Sequence, residues 1–414
     1  MRINRLNRAY HTAFALLLLA AIITTNADAA DWPQWRGPAR NGISSESGWL
    51  SQWPPTGPRR AWSVKVGDGY ASVAVVGGRV YTTGNTNDQD MVYCLNATNG
   101  ATIWKYSYTC PSGDPSGTRA TPVVSGTLVY TLSSQGFAVC LNAATGKLVW
   151  RRNLARETGA QMPQWGFSGS PTVDGNLVYY NVGASGMALD KNTGKPMWNS
   201  GAGLAGYSTP VPYTVGAQQG LAIFSGSGIV AVNPRDGRPL WQYPWQTSYN
   251  VNAADPIFSG DTVFISSNYN KGCALLKVGP RGPSVVWQNR NMRNHFNSCV
   301  LLGGALYGND ENTLKCIDLK TGAERWASRG MGKGGVIAAD GKLIALTERG
   351  ELIIVAADPA RYREIARAQV LRGTCWTQPA LVNGFIYCRS HEGDLVCLDV
   401  TARRAGPRGA ALRP

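Results

Sequence analysis

A short phrase that closes with tryptophan recurs along this chain at nearly constant intervals. It is written most fully as YCLNATNGATIWKY at residues 93–106 and as VCLNAATGKLVW at residues 139–150. The closing residues are Trp104, Trp150, Trp198, Trp241, Trp287 and Trp326, with spacings of 46, 48, 43, 46 and 39 residues. A repeat of about 40–50 residues is typical of β-propellers and solenoids, in which each unit buries its faces against the next unit.

The repeat that begins at residue 119 predicts four short antiparallel strands. Its segments TPVVS, GTLVYTLS, GFAVCLNA and KLVWRRN are rich in β-branched and aromatic residues, and tight turns separate them. The last turn starts with Asn or Asp and ends with Gly, because such a turn needs a side-chain acceptor and a residue that tolerates positive φ. Only 16% of the residues are charged and 49 are glycine, which also favours an all-β chain with many turns.

Counting the repeats predicts eight sheets. The second strand of each sheet ends at Tyr81, Tyr130, Tyr179, Phe224, Phe264, Tyr307, Ala345 and Tyr387. The eighth repeat stops at VCLDV without a fourth strand, whereas RRAWSVKV at 59–66 has a tryptophan but no strands before it. We therefore predict an eight-bladed β-propeller of four-stranded antiparallel blades over residues 58–400, in which the N-terminal strand closes the ring and leaves no open edge.

Both ends of the chain lie outside this predicted ring. Residues 1–30 combine a basic start, an apolar run at 13–23 and the sequence Ala-Asp-Ala, which predicts a cleaved secretory signal and a periplasmic or secreted protein. Residues 31–57 are rich in Trp and Pro and are expected to pack on the propeller. Residues 401–414 form a basic tail that is expected to be disordered. No later apolar stretch is long enough to predict a membrane span.

The net charge restricts the choice of partners only weakly. Loss of residues 1–30 removes three Arg and one Asp and changes the formal charge from +15 to +13. A basic exported protein can meet acidic polysaccharide or anionic lipid, but a solvated basic surface explains the charge equally well. Because no run of five Lys or Arg is present, we expect no nucleic-acid partner.

Nine cysteines in an exported chain raise the question of disulfides. Cys94, Cys140, Cys316 and Cys397 occupy the same place in four repeats, where a small buried apolar residue is expected. The candidate pair is Cys388 with Cys397, because the two flank RSHEGDLV symmetrically and would lie opposite each other on paired strands.

The repeat pattern G-x-L-V-Y … A-x-C-L-N-A-x-T-G-x-x-x-W resembles that of pyrroloquinoline-quinone (PQQ) type propellers across residues 58–400. Two kinds of relative share it: the quinoprotein alcohol dehydrogenases, and the non-enzymatic propeller lipoprotein of the outer-membrane β-barrel assembly machinery. The leader DWPQWRGPARNGIS at 31–44 resembles the mature start of exported PQQ-like repeat proteins.

The long connections between blades predict where a binding site lies. Fourth-to-first strand connections such as LARETGAQMPQWGFS share one face of a propeller, and long loops on a rigid scaffold often carry binding residues. The residues before each innermost strand should surround the channel mouth on this face. The predicted ligand-binding residues there are Tyr70, Arg119, Trp165, Ser168, Tyr207, Asn252, His295, Asn297, Lys333 and Trp376. Such a mixture suits an anionic planar ligand or a peptide, although the same residues could simply satisfy loop backbone and channel water.

The resemblance to quinoproteins implies requirements that the chain meets poorly. It implies PQQ, a Ca²⁺ site of oxygen ligands, a catalytic aspartate and an adjacent Cys-Cys ring, but this sequence has no Cys-Cys pair and no C-x-x-C-H haem motif. Asp255 is the weak catalytic candidate, and Asn252, Asp255 and Asn297 are the weak metal candidates. Asp255 precedes Pro256, so it is equally well explained as a residue that starts a strand.

The sequence therefore predicts a monomeric, non-catalytic binding or scaffold protein of the cell envelope. Its ligand or protein partner would sit on the long-loop face, and no cofactor is expected. One alternative is a PQQ-dependent quinoprotein oxidoreductase that uses PQQ with Ca²⁺. The other is an outer-membrane β-barrel assembly factor, which is disfavoured because no lipoprotein cysteine lies near the predicted cleavage site.

Overall fold

A computed structural model describes residues 31–402, which form eight four-stranded antiparallel sheets around a ring. The predicted all-β, eight-bladed propeller is confirmed. The predicted signal peptide at 1–30 and residues 403–414 of the predicted tail lie outside the described residues. Within residues 31–402, no helix is long and apolar enough to cross a membrane.

Two strands precede the first blade, namely β1 (Ile43–Ser44) and β2 (Arg59–Lys65). Seven blades then follow in chain order, each with its innermost strand first. Blade 1 comprises β3 (Ala74–Val76), β4 (Arg79–Thr86), β5 (Gln89–Asn96) and β6 (Thr102–Thr109), and blade 2 comprises β7 (Val123–Ser125), β8 (Leu128–Leu132), β9 (Phe137–Asn142) and β10 (Leu148–Asn153). Blade 3 comprises β11 (Thr172–Asp174), β12 (Leu177–Tyr180), β13 (Met187–Asp190) and β14 (Pro196–Asn199). Blade 4 comprises β15 (Val211–Val215), β16 (Gln218–Phe224), β17 (Gly228–Val232) and β18 (Pro239–Pro244).

A single short helix, α1 (Leu154–Thr158), follows blade 2 in the described chain. Blade 5 comprises β19 (Ile257–Ser259), β20 (Thr262–Ser267), β21 (Gly272–Gly279) and β22 (Gly282–Asn289). Blade 6 comprises β23 (Val300–Leu302), β24 (Ala305–Asp310), β25 (Thr313–Asp318) and β26 (Glu324–Arg329). Blade 7 comprises β27 (Gly335–Ala339), β28 (Lys342–Leu346), β29 (Glu351–Ala356) and β30 (Glu364–Gln369). Blade 8 comprises β31 (Ala380–Val382), β32 (Phe385–Arg389), β33 (Asp394–Asp399) and the early strand β2.

The recurrent phrase joins neighbouring blades. In blade 2, Oδ1 of Asn142 accepts hydrogen bonds of 3.0 Å from the backbone N–H groups of Ala144 and Thr145, and Gly146 adopts a φ of +70°. A Cβ atom on Gly146 would lie 2.6 Å from Cδ2 of Trp104 in blade 1. Glycine is therefore required twice, by the turn and by the indole of the preceding blade that covers it.

The same tryptophan also bonds to the next blade. Nε1 of Trp104 donates to the carbonyl of Ala143 at 3.0 Å, and Nε1 of Trp150 donates to the carbonyl of Lys191 at 2.9 Å. Each indole thus buries apolar surface between two sheets and satisfies its one polar group.

The same contact, a tryptophan of one blade that donates to a carbonyl of the next blade, also joins blade 8 to blade 1 where the ring closes. β2 pairs with β33, with Trp62 opposite Cys397, and Nε1 of Trp62 donates to the carbonyl of Ala97 at 2.8 Å. Arg389 of blade 8 lies fully buried at this junction, where it donates to the carbonyls of Ala71 at 3.1 Å and Gly67 at 2.9 Å.

The predicted disulfide is wrong. The register of β32 and β33 places Cys397 opposite Tyr387 and Cys388 opposite Val396, one position away from the assumed symmetry. Because side chains alternate across a strand, Cys388 and Cys397 point to opposite faces of the sheet. All nine cysteines are buried free thiols.

Candidate functional site

A belt of hydrogen bonds surrounds the channel just before the innermost strands. Its members are Ser72, Thr121, Ser170, Thr209, Asp255 and Ser298, each of which accepts or donates a bond to the next blade. In each step the backbone N–H of one member donates to the side-chain oxygen of the next, over distances of 2.7–3.2 Å. Asp255 therefore stands where most blades carry Ser or Thr.

Blade 7 has Gly335 at the corresponding position, and Gln378 of blade 8 spans the gap. Nε2 of Gln378 donates to the carbonyls of Val336 at 3.1 Å and Ser298 at 3.4 Å. Oγ of Ser72 then donates to the carbonyl of Gln378 at 2.8 Å. A Cβ atom on Gly335 would lie 2.7 Å from Cα of Gln378, so the belt closes only because this residue is glycine.

The chain from 31 to 50, which we term the strap, crosses the face opposite the long loops. Its hydrogen bonds reach residues at or next to the innermost strands of six blades, at Val75, Val124, Val173, Cys299, Ala338 and Leu381. β1 of the strap adds to β27 in parallel, and Trp32 and Trp49 are buried. The strap thereby covers one end of the channel.

Two adjacent strap residues meet Asp255. Nε1 of Trp35 donates to Oδ2 of Asp255 at 2.8 Å, and Nε of Arg36 lies 3.8 Å from the same oxygen. The side chains of Arg36 and Asp255 are only 2% and 5% exposed. Burial raises the pKa of Asp255 and the guanidinium opposes that shift, whereas burial lowers the pKa of Arg36. The pair is held as a buried ion pair with additional hydrogen bonds.

Above this pair lies a cavity of about 290 Å³ on the long-loop face. Of the ten predicted mouth residues, the structure places nine in its wall: Tyr70, Arg119, Trp165, Ser168, Tyr207, His295, Asn297, Lys333 and Trp376. Asp255 and Trp35 also line it, so the strap contributes to its floor. One concave site therefore collects residues from widely separated parts of the sequence.

The cavity is bordered by an aromatic arc, a series of rings in mutual contact. Its members are, in spatial order, Tyr70, Trp376, Phe296, His295, Tyr269, Tyr249, Trp165 and Tyr207. All of them except Tyr249 line the cavity. Successive ring centroids lie between 3.9 and 6.2 Å apart. Such packing holds each ring in place and presents a largely apolar wall to an incoming group.

Two cations lie on this wall. Arg119 lies 5.9 Å from the centroid of Tyr70, and Nζ of Lys333 lies 5.0 Å from the ring of Trp376 and 5.4 Å from that of Phe296. Among residues 31–402, neither cation has a carboxylate within ion-pair distance. Burial and the charge of Lys333 lower the pKa of His295 to about 3, so its imidazole is neutral at pH 7. The wall therefore carries positive charge without a counter-ion.

Asn252 does not belong to the cavity. Its Nδ2 donates to the carbonyls of Ser225 at 2.8 Å and Trp245 at 3.0 Å, and its Oδ1 accepts from Oγ of Ser267 at 2.7 Å. This side chain is fully buried between strands, and its hydrogen bonds fix the loop that precedes blade 5. The three predicted metal candidates thus do not form one ligand set.

The oxygen donors of the cavity do not suit Ca²⁺. Asp255 is the sole carboxylate among the described residues that line it, and it already accepts from Thr209 N and Trp35 Nε1 beside Arg36. Calcium requires six to eight oxygen ligands, usually with several carboxylates. The aromatic wall and two cations do suit a flat organic anion, so the walls match a planar quinone such as PQQ better than they match its metal.

Several cavity residues were not predicted from the sequence, and three of them are aromatic. Phe296 and Tyr269 extend the aromatic arc, and Trp35 reaches the floor from the strap. Phe296 sits between the predicted His295 and Asn297, so its place in the same loop was a usable signal. The aromatic content of the leader indicated packing, but nothing in the sequence paired Trp35 with Asp255.

These features define a class of protein, the eight-bladed β-propeller built from PQQ-like repeats. A family model described as outer membrane protein assembly factor BamB matches residues 111–328. The match covers more than half of the 414-residue chain, and the chain belongs to this family. The resemblance to PQQ-type propeller repeats is thereby confirmed.

Solved structures show the same fold. BamB from Moraxella catarrhalis superposes with a TM-score of 0.63 at 15% identity, covering 84% of this chain and 99% of that one. Quinohemoprotein alcohol dehydrogenase from Comamonas testosteroni gives a TM-score of 0.64 at 14% identity, covering 93% of this chain and 83% of that one. At such identities the likeness concerns the fold alone.

One curated relative is similar in sequence. The tetrathionate hydrolase of Acidithiobacillus ferrooxidans is 26% identical over 232 residues, which are 51% of this chain and 44% of the hydrolase. The matched stretch therefore spans less than half of that protein.

Proposed function

We propose that this protein is a non-catalytic binding protein of the cell envelope whose ligand, an organic anion with a flat apolar part, occupies the mouth cavity. One observation carries the proposal, namely the aromatic arc with Arg119 and Lys333 around one cavity of about 290 Å³. A flat group is favoured by walls of aromatic rings, and a negative charge is favoured by two cations that have no ion-pair partner among the described residues.

Among the described residues that line the mouth cavity, the only carboxylate is engaged in other contacts, which supports binding over catalysis. Asp255, the candidate general base, is engaged by Trp35, Thr209 and Arg36, and these contacts oppose the rise in its pKa that burial causes. His295 is neutral but is bonded by Asn268 at 3.0 Å and stacked on Phe296. A base must be within reach of the proton that it removes, and both candidates are committed to structural contacts.

A PQQ-dependent oxidoreductase is the second candidate function. The structural likeness to quinohemoprotein alcohol dehydrogenase favours it, together with walls that suit a planar anionic quinone. Arg119 and Lys333 would hold the carboxylates of such a group, and Trp376 and Tyr70 would lie against its ring. The quinone would supply two-electron redox chemistry.

The family description favours a third candidate, a role in outer-membrane assembly. BamB of Moraxella catarrhalis shares the fold over 84% of this chain, and a protein partner on the long-loop face would fit a role as a scaffold. Co-purification of an assembly complex with the full-length protein from envelope extracts would support this role. Its absence, while the cavity binds a small anion, would favour the first proposal.

Calorimetry on the exported form of the chain tests the proposal. We expect saturable binding of 2-naphthoate and of PQQ that EDTA does not abolish, and at least about tenfold weaker binding by Arg119→Ala and Lys333→Ala. Arg235→Ala and Lys320→Ala remove exposed cations from turns on the opposite face and serve as matched controls. Absence of saturation with both probes would overturn the proposal, and Ca²⁺-dependent alcohol oxidation with PQQ would replace it by the oxidoreductase.

A further inference from the structure

A second cavity continues the first one outward over blades 6 and 7. It has a volume of about 690 Å³ and shares His295 and Lys333 with the mouth cavity. Its other walls come mainly from second-to-third strand turns and from the connection before β27, with Glu351 of β29 and Arg367 of β30, so it opens on the same face. The two cavities together form one extended depression with Lys333 at the junction.

The two compartments differ in chemistry. The inner one is walled by the aromatic arc, whereas the outer one is lined by side chains of both charges, among them Glu311, Glu348, Arg349 and Arg367. An aromatic or apolar group in the inner compartment would bury its surface against the rings of the arc. A polar part of the same ligand would meet charged partners in the outer compartment.

The charges of the outer compartment are not fully paired. Arg367 bonds to Glu351 and Glu364 at 2.9 Å, and Arg293 lies 3.5 Å from Glu311. Glu348 accepts a bond of 2.7 Å from Nε1 of Trp376 and so fixes one ring of the inner wall. Within the described chain, Lys333 at the junction and Arg349 further out have no carboxylate in ion-pair range. Positive charge without an ion-pair partner therefore lies at both points, and Glu348, next to Lys333, is the one carboxylate lining this cavity that forms no ion pair among the described residues.

We propose that this depression takes the C-terminal segment of a peptide whose last residue is aromatic. The aromatic side chain enters the inner cavity, the terminal carboxylate lies on Lys333, and the preceding residues follow the outer cavity towards Arg349. Polypeptide suits the outer compartment because its main chain offers both donors and acceptors to a wall of mixed charge. This inference rests on the proposed function, since it specifies which anion the mouth cavity receives.

Calorimetric titration with three related probes tests the arrangement. The probes are acetyl-Gly-Ser-Asp-Ser-Phe with a free carboxylate, its C-terminal amide, and N-acetylphenylalanine. We expect the free-acid peptide to bind at least about tenfold more tightly than either of the other two, because only it fills both cavities and places a carboxylate on Lys333.

Two variants assign the contacts. Lys333→Ala should remove the preference for the free acid over the amide, whereas Lys320→Ala, on an exposed turn of the opposite face, should retain it. Arg349→Ala should weaken the peptide several-fold and leave N-acetylphenylalanine unchanged, because Arg349 lines only the outer cavity. Arg349 is exposed, so this variant keeps the test valid if a change at the junction disturbs folding.

Each other outcome rejects the inference in a distinct way. If 2-naphthoate and N-acetylphenylalanine bind but the peptide gains nothing, the inference fails and the proposed function stands. Tighter binding of decanoate or of tri-galacturonate than of the peptide would assign the depression to a fatty acid or an acidic sugar instead. If none of these probes binds, the inference and the proposed function fail together.

Discussion

Nε1 of Trp35 donates a hydrogen bond of 2.8 Å to Oδ2 of Asp255, across 220 positions of sequence. The bond connects the strap to the belt and fixes the floor of the mouth cavity. Nε of Arg36 lies 3.8 Å from the same oxygen, so Asp255, the weak catalytic candidate of the sequence, is a buried carboxylate in contact with two strap residues.

Replacing that anion should destabilise the protein. Asp255→Asn keeps the shape but leaves Arg36 as a buried cation without a partner, so we expect the free energy of unfolding to fall by about 3 kcal/mol. Urea unfolding at pH 7 measures the change. Asp261→Asn removes a half-exposed aspartate of the same blade and should cost less than about 1 kcal/mol. Equal midpoints for the two variants would contradict a buried ion pair at Asp255.

Arg389 should be the main polar contact of ring closure. It is 1% exposed and donates to carbonyls before and within blade 1, at Gly67, Ala71 and Thr83. Arg389→Met leaves these buried carbonyl acceptors unsatisfied, and we expect the free energy of unfolding, measured with urea, to fall by about 2–4 kcal/mol. Arg281→Met, at an exposed site, is the control. A loss no larger than that of the control would show that the β2–β33 pairing alone closes the ring.

His295 should make stability depend on pH. Its folded-state pKa of about 3 lies below the ordinary value of 6.5, so between these values the unfolded chain binds a proton that the folded chain does not. The stability that the neutral His295 contributes to the folded state is therefore complete above pH 6.5 and is lost as the pH falls towards 3. Between pH 7 and pH 5, we expect the free energy of unfolding of His295→Gln to fall by about 1–2 kcal/mol less than that of the parent protein. Parallel stability curves for the two proteins would refute this.

The nine thiols should be unreactive in the folded protein. All are buried, and burial raises the pKa of every one of them, that of Cys140 and of Cys397 to about 12, which disfavours the reactive thiolate. A thiol reagent such as DTNB should label none in buffer and all nine in 6 M guanidinium. The same unfolded, unreduced sample should show no mass loss from a disulfide. Labelling of only seven thiols in guanidinium would instead indicate that two cysteines form a disulfide.

Much of the candidate site was predictable because it follows from the repeat. Once Trp104 and its counterparts fixed the blades, the residues before each innermost strand had to face the channel mouth, and Tyr70, Arg119, Lys333 and Trp376 do so. Asn252 has the same sequence position but turns inward, because its carboxamide donates to the carbonyl of Trp245 in its own loop and to that of Ser225 in the turn between β16 and β17. Position in a repeat predicts location but not side-chain direction.

The sequence by itself determined the blade count, the pairing of β2 with β33 and the face on which the candidate cavity lies, since these depend on a periodic pattern and on short turns. The tertiary structure alone decided that Cys388 and Cys397 lie on opposite faces, because one residue of register reverses every side chain of a strand. It also decided that Trp35 and Arg36 hold Asp255. That contact joins distant segments through a non-repeating strap, and no local pattern encodes it.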